Sequence, residues 1–192
     1  MGEVGEPHLA LNSMTGVNVK MKIAKKILKT VVDIVEQHLS SIFLFSVFIS
    51  MFFQVWLRYI FKMPSPELYE ITLYSFAWVV LLGAAYAHRY RDHIRFNIIY
   101  EKLPRKAQLV IDIVFDTLLT ILFTISLRPV FRQAFWYHMI RSEVLRIPWT
   151  YLVLCLPIFI ILVIGHNVVF LYYEIRELFT GEPMNLEEKP WL

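Results

Sequence analysis

Four apolar runs of bilayer length divide this sequence, at about 39–61, 68–88, 107–127 and 148–172. A hydrocarbon core of roughly 30 Å is crossed by about 20 helical residues. Lipid leaves no partner for an open backbone, so each run is expected to be a helix. The predicted class is therefore an all-α integral membrane protein with four spans. Composition agrees, with 57% hydrophobic and 18% charged residues against about 25% charged in soluble domains.

Orientation follows from the cations. Lys and Arg fall five before the first run, two at its outer end and the first connection (Arg58 and Lys62), six in the second connection, four in the third and two in the tail. The positive-inside rule then places both termini and the second connection in the cytoplasm. That connection, Gly83 to Gln108, carries Arg89, Arg91, Arg95, Lys102, Arg105 and Lys106. Its natural partner is an anionic headgroup layer. No soluble basic domain points to nucleic acid.

Residues 1–38 divide into a tail and a helical segment. From Lys20, the stripe Ile23, Ile27, Val31, Ile34 and His38 suggests an amphipathic helix on the membrane surface. An ordinary lead-in to the first span fits the same pattern. The apolar stretch runs on too long for a cleaved signal and lacks a small-x-small site. A short in-plane helix is expected between spans two and three, over His93 to Leu103. Residues 173–192 form a second cytoplasmic tail.

Within the spans, several residues stand out. Arg58 and Glu70 flank the first outer turn and are placed to pair. Trp78 falls near mid-depth, which suits packing against protein. Gly83 and Ala87 stand four apart and thin one end of the helix, so another helix can approach. Asp112 and Asp116 are one turn apart on one face. Intramembrane carboxylates usually face protein or water, so the pair reads as an ion or proton relay, an ion-pair clamp or a partner contact. The third helix is expected to run beyond the bilayer, because no turn cluster precedes Ile147-Pro148. Pro148 opens the last span and Pro157 is placed to bend it.

Chemistry of other kinds finds little footing. The single Cys155 allows no internal disulfide. No phosphate-binding glycine loop, cysteine cluster or His-Glu-x-x-His occurs, so no catalytic, metal or cofactor residue is assigned. His38, His88 and His166 fall at similar depth. They admit a membrane b-type cytochrome or quinone-linked subunit, although interfacial boundaries produce the same placement. A general tetraspan assembly factor is a further alternative.

Four motifs in order carry a family resemblance from about residue 54 to 157. They are Gln54-Val-Trp-Leu-Arg58-Tyr59-Ile-Phe61; Glu70 with Trp78 and Gly83; His93-Ile94-Arg95-Phe96-Asn97 with Leu103-Pro104; and Ile147-Pro148 with Pro157. The chain resembles the DctQ-like small membrane subunit of TRAP (tripartite ATP-independent periplasmic) transporters. Gln54 stands where the family usually has Asn, Asn97 where it has Asp, Glu67 where Trp is common and Leu73 where Arg is frequent. Asn97 is not a fixed anion, so a salt bridge there is not carried over.

The resemblance implies a transport complex in the bacterial inner membrane. A periplasmic protein captures an organic acid, and a large permease subunit moves it on a sodium gradient. The small subunit enlarges the static scaffold and is not an enzyme. Arg58, Glu70, Trp78, Gly83, Ala87, His93, Arg95 and Pro148 are then the candidates for helix packing and partner contact. Residues 128–146 and 62–67 are candidates for touching the periplasmic protein.

Overall fold

The structure is a computed structural model and describes residues 23, 26–27, 29–90 and 103–181. Among them four helices are long and apolar enough to cross a membrane: Lys29–Ile60, Pro66–Arg89, Arg105–Met139 and Thr150–Thr180. We label their α-helical parts α1 (Ser40–Ile60), α2 (Pro66–Arg89), α3 (Arg105–Trp136), α4 (Thr150–Val153) and α5 (Cys155–Thr180). The described residues contain no strand; one isolated bridge joins Arg141 to Pro148.

The first helix is continuous from Lys29, with no break between its charged start and α1. For this part the lead-in arrangement holds. Ile23, Ile27, Val31 and Ile34 are all about half exposed. The expected in-plane helix lies largely outside the described residues, as do His93 and Arg95. α2 starts with Pro66 in its first turn, where a missing N–H costs nothing. α3 runs on to Trp136, about nine residues past the expected span.

The last helix departs from expectation. It begins at Thr150, because Pro148 is held extended in its bridge with Arg141. It is interrupted at Leu154, between α4 and α5. Pro157 has no N–H to give Val153, four residues earlier, which accounts for the interruption. Its other end continues past the 148–172 run to Thr180. Gly181 turns left-handed there (φ 71°) and its N–H donates to Glu177 O at 2.9 Å, a common helix ending.

The four rods pack as two antiparallel pairs, α1 on α2 and α3 on α5, joined through α2 against α5. α2 and α5 are therefore central and α1 and α3 flank them. The core is narrow and includes Leu82, Ala85, Val163 and Phe170. Wide apolar faces remain outside it, such as Phe45, Phe48 and Phe52 on α1 and Leu118, Leu122 and Ile125 on α3. A helix face this apolar suits lipid or another membrane protein rather than water.

Candidate functional site

Interest centres on α2, which is tied to its neighbours at both ends and along its middle. From one end of α2 to its midpoint, Glu70, Tyr74 and Trp78 recur every four residues and so share a face. Each reaches backbone in or beside the connection between α3 and α4. Glu70 accepts from the Val144 and Leu145 N–H groups, both at 2.9 Å. Tyr74 OH donates to Ile147 O at 3.4 Å, and Trp78 Nε1 donates to Tyr151 O at 2.9 Å. Trp78 also stacks on Phe43 of α1, with ring centroids 5.3 Å apart.

The connection is folded tightly enough to present those amides. Ser142 N–H donates to Ile147 O at 2.9 Å, and Trp149 N–H to Ile140 O at 3.0 Å. Ser142 Oγ in turn accepts from Ile147 N–H at 3.1 Å. Arg146 has φ 53°, an uncommon conformation for a residue with a Cβ. The pairing of Arg58 with Glu70 does not form. Glu70 is turned to the Val144–Leu145 amides, and the exposed Arg58 lies over the Tyr59 ring at 5.9 Å.

Along the middle, α1 and α2 meet through a seam of small hydroxyl side chains. Ser46 and Ser75 are 3.0 Å apart and Ser50 and Thr72 2.8 Å. Ser50 also bonds Ser46 O, and Thr72 bonds Leu68 O, back along their own helices. Short side chains of this kind let helices approach and hydrogen-bond across the contact.

The other end of α2 enters a buried polar cluster. Arg89 Nη1 lies 2.6 Å from Asp33 Oδ1 and 3.3 Å from Glu36 Oε2. The second Glu36 oxygen meets His166 Nε2 of α5. Glu36, Arg89 and His166 are 1%, 3% and 3% exposed. Glu36 sits in a π-helical stretch, Ile34–Leu39. The wider turn shifts the side-chain register of an α-helix and is frequent at functional places. Beside this cluster His88 Nε2 and Asn167 Oδ1 are 2.6 Å apart. At the same end Arg105 of α3 forks onto Glu177 of α5, at 2.9 and 3.1 Å. Such forked pairing is characteristic of Arg and carboxylate.

The remaining candidates are placed as follows. Gly83 does not pack closely inside the chain: a Cβ there would meet nothing within 4 Å. It borders an open groove of about 230 Å³ with Gln37, Ser40, Ser41, Leu44 and Tyr86. Ala87, one turn on, is half-buried. Asp112 and Asp116 lie half-buried on one face of α3, and the Asp116 carbonyl accepts from Thr120. His88 and His166 turn to different protein partners, Asn167 and Glu36, rather than to one shared space, and His38 is exposed.

Sequence reasoning missed Asp33, Glu36, Asn167, Glu177 and the hydroxyl seam. The matched depth of His88 and His166 was the available signal for the cluster. For the seam it was the i, i+4 spacing of Ser46 and Ser50.

These helices and their pins define a four-span membrane protein of the multi-pass class. A family model described as "Tripartite ATP-independent periplasmic transporters, DctQ component" matches residues 47–177. The chain belongs to that family and is a small membrane subunit of a TRAP transporter. No curated protein matches it. The family's members work with a large permease and a substrate-binding protein.

Proposed function

We propose that this chain is a static scaffold for the large permease subunit of a sodium-driven importer of organic acids. It sits in the bacterial inner membrane with both termini and the Arg89 end of the bundle in the cytoplasm. It carries no catalytic step of its own.

The observation that supports this reading is the fixing of α2 at both ends. Glu70 holds the α3–α4 connection, and Arg89 with Glu36 and His166 ties the start of the first helix to α2 and α5. Breaking a buried ion pair by removing one partner costs about 3–5 kcal/mol. Cross-links of that strength suit a part that stays still while a neighbour moves. The groove at Gly83 and the apolar faces of α1 are the surfaces offered to the permease. Of the segment 128–146, the part beyond the end of α3 at Trp136, together with the turn over 62–67, is offered to the periplasmic protein.

Uptake of labelled organic acids into cells with and without this chain tests the proposal. Uptake that needs both the chain and an inward sodium gradient is expected. Sodium-dependent uptake at full rate without the chain would contradict the scaffold role.

A further inference from the structure

The far end of α3 carries an arginine that the bundle does not use. α3 packs on α5 through a face that includes Leu109, Phe123 and Ala134, with Phe123 edge-on to Phe159. On the face turned away, Leu118, Leu122, Ile125, Pro129, Arg132 and Trp136 follow one another at helical spacing, all exposed. The first three make an aliphatic track. The last three border an open cleft of about 540 Å³, together with Gln133.

Depth is set by the aromatic residues. Trp136 meets Tyr137, and Tyr137 stacks on Trp149 at the start of α4. Trp and Tyr gather at headgroup level in membrane proteins. Arg132 is one turn nearer the bilayer centre than Trp136. Among the described residues no carboxylate lies within ion-pair distance of it. A guanidinium at that depth is favoured by an anion, and its fork fits phosphate. Pro129 gives no N–H to the Ile125 carbonyl, which loosens the helix where the cleft opens.

We propose that this face is a binding site for one glycerophospholipid. The phosphate sits on Arg132, Gln133 offers a further polar contact, Trp136 covers the glycerol region and an acyl chain lies along Ile125, Leu122 and Leu118. The stripe has the order of the lipid itself, with apolar length first and cation last. A carboxylate on a soluble protein would satisfy Arg132 but would leave the aliphatic track of Leu118, Leu122 and Ile125 uncovered.

Native mass spectrometry of the whole purified chain, loaded with phosphatidylglycerol in mild detergent, tests this. Arg132→Gln is compared with Arg58→Gln, which removes an exposed cation at the same end of the bundle but outside the cleft. One arginine at a membrane surface changes lipid affinity about fivefold. The lipid-bound fraction is expected to fall by about that factor in R132Q and to stay unchanged in R58Q. Equal occupancy in R132Q and the unaltered chain would overturn the proposal. Displacement of the lipid by inorganic phosphate would assign the site to a free anion instead, and overturn it. So would unchanged lipid binding in R132Q together with loss of a co-purifying protein.

Discussion

Glu36 and His166 meet inside the bundle although 130 residues separate them. The same carboxylate takes Arg89 on its other oxygen. One side chain from the start of the first helix therefore fixes the second and the last. Polar groups in membrane proteins are costly unless they are paired with one another, and here the pairing sets how three helices are arranged.

Removing Arg89 leaves Asp33 and Glu36 without this shared cation. Arg89→Ala is expected to destabilise the isolated subunit by about 3–5 kcal/mol, read as a fall in unfolding temperature in detergent. Replacing the whole buried trio with apolar residues, as in R89M/E36M/H166L, is expected to recover part of the loss. A single variant as stable as the unaltered chain would show that the cluster does not hold the helices.

The hydroxyl seam predicts a smaller effect. Interhelical hydrogen bonds in a membrane protein average about 0.6 kcal/mol. Ser50→Ala removes the contact with Thr72 and is expected to lower stability by that order, far less than R89A. A loss as large as that of R89A would mean the seam, not the charged cluster, dominates.

Glu70 makes its contribution to local order. In Glu70→Ala the Val144 and Leu145 amides lose their carboxylate acceptor. Hydrogen exchange at those two amides is expected to quicken, with little change in the α5 core around Val163. Unaltered protection at Val144 and Leu145 would remove Glu70 from its role as the clamp of this connection.

Much of the frame was legible in the sequence because lipid demands long apolar helices. The four spans follow from run length alone, and α3 overran its span as the absence of a turn cluster suggested. Helix ends were harder. The Arg141–Pro148 bridge is a contact between residues outside any helix, and no periodicity announces it. The Glu70 and Trp78 positions were visible as a motif. Their bonds to loop and helix-start backbone were not, because an acceptor carbonyl or donor amide has no side-chain signature. Arg89 read as one more loop cation, and Asp33 and Glu36 as the polar side of an amphipathic helix. Their pairing with Arg89 is set by tertiary contacts between helices distant in the sequence, which periodicity does not carry.

Gly83 separates packing within the chain from packing against a partner. Since a Cβ at Gly83 meets nothing within 4 Å, Gly83→Leu is expected to leave the isolated subunit's unfolding temperature nearly unchanged. The larger side chain fills the groove beside Ser40 and Leu44. Assembly with the large permease should therefore weaken while the subunit itself stays folded. A variant that assembles normally would take the groove out of the interface.

The scaffold account is tested most directly by purifying the tagged chain from native membranes in gentle detergent and identifying what comes with it by mass. The account predicts a large multispan membrane protein in fixed ratio to this chain, with the ratio falling in Gly83→Leu. Recovery of the chain alone, folded and without such a partner, would contradict it.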